Sequence, residues 1–171
     1  MNRGVEDFEA WVRARSGALA RSAYLLTGDV HLAEDLVQDT LARVADHWAR
    51  VSRRGDPDGY ARRVMHHLAI DRWRRRRARP AEVLTDHHPE LGGSGPDVEQ
   101  RLVLRDALAR LTPKQRAVVS LRFYEDFTEV QTAQVLGCSP NTVKSQTRQA
   151  LERLRVLAPD LLSALTEEAH R

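Results

Sequence analysis

The sequence predicts an all-α fold with two small helical domains joined by a flexible linker. Apolar residues recur close to every 3.6 positions in several segments, which is the spacing of one helix face. Hydrophobic residues make up 42% of the chain and aromatic residues only 5%, a balance that favours helices over sheets. The segment 80–97 is acidic and rich in Pro and Gly. We therefore predict domains at 1–79 and 98–171 with a linker between them.

Periodicity and turn residues divide the first domain into three predicted helices. The first covers residues 5–26 and ends at the turn 27–29, which contains a glycine. The second covers about 30–51, and a loop dense in turn formers follows it at 52–59. The third covers about 58–79 and stops before a proline, which cannot continue a helix.

Helix starts are marked more clearly in the second domain. A helix over about 98–111 is followed by one from Thr112 to about Tyr124, which begins with an N-cap Thr, a Pro at the first helical position and a Gln at the capping-box position. The capping box is repeated at the start of a short helix over 128–136, which Gly137 ends. A Ser-Pro pair then opens a longer helix over 139–157.

Residues 128–155 have the lengths of a helix-turn-helix, in which the second helix puts its N-terminal half into the major groove of DNA. We expect an inward apolar row at Val130, Ala133, Val135, Leu136, Val143, Leu151 and Leu154. The outward row is polar, basic and free of acids, and it comprises Asn141, Thr142, Lys144, Ser145, Gln146, Arg148 and Gln149. Such side chains can bond base edges. An ordinary helical hairpin with a solvated face is the alternative interpretation.

The second predicted helix carries an acidic and polar face around residues 33–40. A solvated helix surface is one interpretation of this face, and a protein-docking surface is the other. The face offers no set of acids and histidines at the spacing of metal ligands.

Arginines are concentrated near the end of the third predicted helix, with Arg72, Arg75, Arg76 and Arg79 on one side. Each arginine near a helix C-terminus is worth roughly 0.3–1 kcal/mol through the helix dipole. Phosphate binding gives a stronger reason for so many. Trp73 falls on the apolar face of this helix, so we predict a core role for it in preference to base stacking.

Composition and motifs argue against an enzyme. A single cysteine, Cys138, excludes a disulfide framework and a cysteine-based zinc site. The sequence contains no phosphate-binding loop, zinc-protease motif or nucleophile-elbow motif. We expect no catalytic residues, no cofactor and no metal. Without a signal peptide or an apolar run of transmembrane length, we expect a cytoplasmic protein without membrane insertion.

Three segments together resemble the extracytoplasmic function (ECF) sigma factors of bacterial RNA polymerase. They read AEDLVQDTLARVADHW, YARRVMHHLAIDRWRRRRAR and LTPKQRAVVSLRFYEDFTEVQTAQVLGCSPNTVKSQTRQALERLR. The similarity runs from about Phe8 to Leu157, and the two blocks match regions 2 and 4 of that family. The resemblance implies a protein that binds core RNA polymerase at its clamp and flap regions, directs it to promoter DNA and helps to open the duplex. An anti-sigma factor is a further candidate partner.

Site residues follow from the same resemblance, position by position. The implied contacts to core polymerase are Asp35, Leu36, Gln38 and Asp39. The implied contacts to the −10 element are Arg53, Arg54, Asp56, Tyr60, His67, Arg72, Arg75 and Arg76, with the loop 51–58 capturing a flipped base. The implied contacts to the duplex −35 element are Thr128, Asn141, Thr142, Lys144, Ser145, Arg148 and Gln149. The rival interpretations are a stand-alone helix-turn-helix regulator and a protein-binding adaptor.

Overall fold

The computed structural model describes residues 3–78, 103 and 105–159. These residues form helices, with no strand among them, which confirms the predicted all-α class. The contacts divide the chain into two compact units, Met1–Ala69 and Ile70–Arg171. The predicted linker at 80–97 and the predicted domain limits at 79 and 98 lie outside the described residues.

Four helices make up the described part of the chain before residue 79. They are α1 (Arg3–Thr27), α2 (Val30–Asp46), α3 (Trp48–Arg54) and α4 (Pro57–Ala78). The turn between α1 and α2 forms as predicted: Gly28 takes a left-handed φ of 71°, and the Asp29 side chain accepts the Leu32 backbone N–H at 2.8 Å. This contact caps α2, because the first N–H groups of a helix lack partners inside it.

The predicted single helix over 30–51 is wrong, because the chain breaks at His47. That residue has φ −113° and ψ 6°, outside the helical range, and α3 starts again at Trp48. The break places the Trp48 ring 5.2 Å from the ring of Phe8 and 5.6 Å from that of Trp11, measured between centroids. Aromatic packing against α1 is thus better satisfied by two helices than by one.

The predicted loop over 52–59 is also mostly helical. Helix α3 continues to Arg54, and only Gly55 and Asp56 connect it to α4. Gly55 ends α3 with a left-handed φ of 75°, and its N–H bonds the Ser52 carbonyl at 3.1 Å. The turn-forming composition therefore marks two short caps and not an extended loop.

The core of this part of the chain lies between the buried faces of α1, α2 and α4. Leu36, Val44 and Met65 are fully buried, and Ala61 and Leu68 continue the predicted apolar face of α4. Trp73, predicted on the same face, is half-buried.

The Asp58 carboxylate ties α4 to α1. One oxygen accepts the Trp11 indole N–H at 2.8 Å and the Arg15 Nε–H at 3.1 Å, and the other lies 2.8 Å from Arg15 Nη2. A two-point contact between a guanidinium and a carboxylate fixes geometry as well as charge. The first turn of α4 is therefore held against α1.

The described residues after 102 form a second helical group. Helix α5 includes residues 103 and 105–109, and α6 covers Pro113–Val119. Helix α7 covers Glu129–Leu136 and α8 covers Pro140–Leu157, and α8 packs against both α6 and α7. The predicted starts of these three longer helices are confirmed, including capping boxes at Thr112 and Thr128 and a Ser139 cap.

A π-helical turn over Ser120–Tyr124 extends α6, so the helix ends where the sequence predicts but with a wider last turn. The Glu125 N–H bonds the Ser120 carbonyl at 3.0 Å, and the Phe127 N–H bonds the Leu121 carbonyl at 2.9 Å. The Arg122 guanidinium donates to the Phe127 carbonyl, which fixes the chain just before α7 begins.

Replacing Asp58 with Ala should lower the free energy of unfolding of the N-terminal part by about 1–2 kcal/mol. The change removes the acceptor for Trp11 and Arg15, although partial exposure screens the ion pair. Trp11, Trp48 and Trp73 all precede the linker, so urea unfolding followed by tryptophan fluorescence reports on this part. The exposed pair of Glu9 with Arg13 is the control, and Glu9→Ala should change stability by less than about 0.5 kcal/mol. Equal effects of the two substitutions would contradict the anchoring role of Asp58.

Candidate nucleic-acid and protein interfaces

The polar face of α2 lies on the surface, opposite the side that packs in the core. Asp35, Gln38 and Asp39 are exposed. Asp35 and Asp39 are four residues apart and so lie on the same side of the helix. The arrangement gives a compact acidic surface suited to a basic protein partner.

Leu36 does not belong to this surface, although the resemblance implied a polymerase contact there. Its side chain is 0% exposed, and the next turn buries Thr40, whose hydroxyl donates to the Leu36 carbonyl at 2.7 Å. Leu36 packs inward because it lies on the apolar stripe of an amphipathic helix. Its burial therefore anchors α2 to the core and holds the acidic surface in place.

The connection between α3 and α4 carries exposed charges on a closely held backbone. Arg53 and Arg54 are exposed, and the Arg53 Nε–H donates to the Ala49 carbonyl at 2.6 Å. The Asp56 carboxylate accepts the Gly59 N–H at 2.8 Å and so caps α4. The structure thus gives Asp56 a structural contact, and its implied contact with DNA stays a prediction.

Helix α4 presents the other residues implied for the −10 element along its length. The Tyr60 ring is half-buried, with its centroid 5.8 Å from that of His47. His67 is exposed, whereas its neighbour His66 is fully buried. Further along, Arg72 is half-buried and both Arg75 and Arg76 are exposed. These cations line the described end of the helix with no acid between them; Arg79 lies outside the described residues.

The helix-turn-helix forms around a small apolar cluster. Val118 of α6, Ala133 of α7 and Val143 of α8 make up its buried centre, and Leu136 and Cys138 pack against it. Gly137 turns the chain with a left-handed φ of 65°, and the Cys138 N–H bonds the Ala133 carbonyl at 3.0 Å. Cys138 packs against this cluster as an apolar group, and burial there raises the pKa of its thiol, against a smaller opposing effect of Lys114.

The inward row predicted for α7 is wrong at one position. Val130 is 55% exposed, and Thr132 is fully buried in its place. The side of α7 that faces the core carries Thr132, Ala133 and Val135, and Val130, in the first turn after the Thr128 cap, lies off that side. Of the other expected residues, Ala133, Val135, Val143 and Leu154 are buried, and Leu136 and Leu151 are half-buried.

The outward row of α8 lies on the surface as predicted. Lys144 and Arg148 are exposed, one turn apart, and the polar exposed residues beside them are Asn141, Thr142 and Gln149. Ser145 and Gln146 are half-buried. Ser139 caps the helix by accepting the Thr142 N–H at 3.1 Å, so the first turn of α8 is well defined.

Thr128, also implied as a DNA contact, is exposed and caps α7. Its hydroxyl accepts the Gln131 N–H at 3.2 Å, and the Gln131 side-chain oxygen accepts the Thr128 N–H at 2.8 Å. Its contact with DNA stays a prediction.

Two buried polar residues of α6 link separate elements, which the sequence did not predict. Arg116 is 8% exposed and donates to the Ala109 and Leu111 carbonyls, both at 3.5 Å, which joins α5 to α6; burial lowers the pKa of this arginine. Gln115 is 4% exposed and contacts Gln149 and Arg153 of α8. The capping box identified Gln115, but no local signal predicts contacts across more than thirty residues of chain.

Residues 3–78, 103 and 105–159 contain no group of three or more His, Cys, Asp or Glu side chains placed to hold a metal ion. Among the helices assigned there, none combines the length and the apolar character needed to cross a membrane.

Comparison with known proteins gives consistent matches across both halves of the chain. Residues 6–79 match the family described as Sigma-70 region 2, and residues 101–154 match Sigma-70, region 4. The RNA polymerase sigma-E factor of Streptomyces coelicolor is 40% identical over 98% of this chain and 96% of its own length. The ECF RNA polymerase sigma factor SigL of Mycobacterium tuberculosis is 35% identical over 85% of each chain.

A solved structure shares the fold. The sigma factor RpoE from Bartonella quintana, determined in complex with the anti-sigma factor NepR, matches with a TM-score of 0.70 at 24% identity, over 91% of this chain and 98% of that one. The two matched regions and the relatives aligned over most of their length indicate the same family. The chain belongs to the ECF sigma factors of bacterial RNA polymerase, which direct promoter-specific transcription initiation.

Proposed function

We propose that this chain reads the −35 element of its promoters with α8 and binds the −10 element with the α3–α4 connection and α4, while α2 docks on core RNA polymerase. The observation that carries the proposal is the exposed, acid-free row at the start of α8, projected from a capped helix-turn-helix.

The −35 element is read as duplex DNA in the major groove. Asn141 and Gln149 offer amides for adenine edges, while Lys144 and Arg148 offer donors for guanine edges or phosphates. Thr142 and Ser145 add hydroxyls, and Thr128 lies at the start of α7, the helix that crosses the phosphate backbone in this motif. The recognition helix therefore combines positioning contacts with base contacts.

The −10 element is bound as a separating duplex. Arg53, Arg54 and Asp56 lie at the α3–α4 connection, which we assign to capture of a flipped base from the non-template strand; flipping costs a few kcal/mol, which pocket contacts offset. Tyr60 and His67 hold the melting strand along α4. The arginines at 72, 75 and 76 grip the backbone, and counterion release makes that grip salt-dependent.

Docking on core polymerase uses the acidic surface of Asp35, Gln38 and Asp39 against the clamp. Leu36 contributes by fixing this side of α2 to the core. We assign the flap contact to the second domain. Because the similar Bartonella quintana protein was determined with the anti-sigma factor NepR, we include an anti-sigma factor among the partners. We assign the cytoplasm as the site of action because the chain belongs to a family of RNA polymerase sigma factors.

Run-off transcription with core RNA polymerase from the source bacterium tests the proposal. Promoters upstream of its operons, with matched templates carrying scrambled −35 or −10 elements, should give transcripts only when this protein is added. Loss of transcript on each scrambled template is expected, because both elements are bound. Failure of every promoter in the genome to respond would exclude the proposed function.

Replacing Asp35 and Asp39 with Ala should weaken binding to core polymerase at least tenfold and leave the fold intact. Both carboxylates are exposed on one side of α2, so their loss removes contacts without opening the core. Glu6→Ala with Asp7→Ala removes two exposed acids from α1 and controls for net charge. Titration of fluorescently labelled protein with core enzyme measures the affinity. Equal affinity of the two double variants would refute the docking surface.

Replacing Lys144 or Arg148 with Ala should reduce −35-dependent transcription. A lost base contact costs about 1–3 kcal/mol and changes the preferred base at one position. Arg155→Ala removes the same charge from the far end of α8 and should have a smaller, sequence-independent effect. Transcription from promoters with each single substitution in the −35 element separates the cases. Equal losses on all templates would assign the two side chains to phosphate alone.

A further inference from the structure

Gln115 is a buried amide whose contacts extend beyond the helix it caps. It lies at the third position of α6 with 4% of its surface exposed. Its side-chain oxygen accepts the Thr112 N–H at 3.1 Å and an Arg153 guanidinium N–H at 3.2 Å. Its side-chain nitrogen donates to the Gln149 side-chain oxygen at 3.4 Å. Gln115 therefore joins a helix start on α6 to the recognition helix.

The two donors that meet the Gln115 oxygen fix the orientation of the Gln115 amide. A backbone N–H and a guanidinium can only donate, so the Gln115 oxygen must face both of them. The Gln115 NH2 group then faces α8, where Gln149 must meet it with an oxygen. The Gln149 NH2 group is left on the other side and donates to the Ser145 hydroxyl at 3.5 Å.

This order matters because a glutamine amide has one donor end and one acceptor end. Adenine recognition in the major groove uses both ends in a defined order, and reversing the amide exchanges donor and acceptor. Gln149 and Ser145 are two of the residues assigned above to the −35 element. Whatever fixes the amide of Gln149 also fixes the pattern that α8 offers to the DNA.

We propose that Gln115 is a positioning residue for promoter recognition, which sets the orientation of Gln149 and, through it, of Ser145 on α8. The inference rests on the proposed reading of the −35 element by α8. Gln115 is buried and acts on the DNA-facing side chains through its hydrogen bond with Gln149.

The second capping box of the chain provides an internal comparison. Gln131 occupies the same position on α7 as Gln115 on α6, and its oxygen accepts the Thr128 N–H at 2.8 Å. Gln131 is exposed, and among the described residues its hydrogen bonds outside the helix ladder join it only to Thr128. The two glutamines thus share the capping role and differ in the contact with α8.

Gln115→Glu separates these two roles. Glutamate at this position preserves the capping box and the contact with Arg153, but it cannot donate to Gln149. We expect unchanged thermal unfolding and a change in base preference of about fivefold at the one or two −35 positions that face Gln149 and Ser145, since one hydrogen bond is worth about 1 kcal/mol. Gln131→Glu adds the same charge in the other capping box. It should lower transcription equally on all templates or not at all.

The measurement uses the full chain with core polymerase on promoters randomised across the −35 element, with sequencing of the transcribed templates. Gln149→Ala identifies the positions that Gln149 reads, and Gln115→Glu should have no further effect on preference in that background. A change with Gln149→Ala but none with Gln115→Glu would overturn the positioning role and leave the proposed function standing.

Two other outcomes would overturn the positioning role of Gln115, and a third would refute the proposed function. Uniform loss of transcription by Gln115→Glu with a lower unfolding temperature would make Gln115 a purely structural residue and overturn the inference. No effect of Gln149→Ala on preference would also overturn it, because Gln149 would then read no base. Failure of the wild-type chain to select any −35 sequence would instead refute the proposed function itself.

Discussion

The first backbone N–H groups of a helix have no acceptor inside that helix, and this constraint organises much of the chain. Asp29, Asp56, Thr112, Thr128 and Ser139 each supply a side-chain oxygen at a helix start. A cap fixes where a helix begins, and therefore which residues face the core three and four positions later. The surfaces assigned to polymerase and DNA are consequences of that phase.

The clearest example is the recognition helix. The Ser139 cap starts α8 at Pro140, so that Val143 and Ala150 are fully buried and Lys144 and Arg148 are exposed. A start shifted by one residue would rotate the helix by roughly 100° and bury a different set. The short polar turn before α8 thus decides which side chains can meet DNA.

Local signals in the sequence predicted the parts of the structure that depend on neighbouring residues. The capping boxes at Thr112 and Thr128, the stop at Gly137 and the outward row of α8 are of this kind, because each depends on residues within one or two helical turns. The break at His47 was not predictable in the same way. It depends on Trp48 meeting the rings of α1, about forty residues earlier in the chain.

In the candidate site, too, the features that depend on neighbouring residues were predictable, and those that depend on distant residues were not. Side-chain exposure on α2 and α8 agreed with periodicity, whereas Val130 of α7 lies on the surface. Leu36 follows the periodicity into the core, although the resemblance implied a contact with polymerase there. The resemblance carried over positions in a motif, and a motif does not distinguish a residue that touches a partner from one that supports it. Contacts such as Gln115 with Gln149 join residues that are distant in sequence, and only the fold brings them together.

Gly59 shows how such support can be mistaken for recognition. A Cβ atom built at this position would lie 2.2 Å from an Asp56 carboxylate oxygen, because that carboxylate folds over the glycine to cap α4. Any larger residue at 59 must displace the cap and redirect a negative charge at the α3–α4 connection. A variant at Gly59 would then resemble the loss of a residue that binds the promoter, although glycine itself has no side chain with which to bind. With the proposed role of the α3–α4 connection in promoter binding, genetic screens for promoter contacts would recover this position for its effect on Asp56.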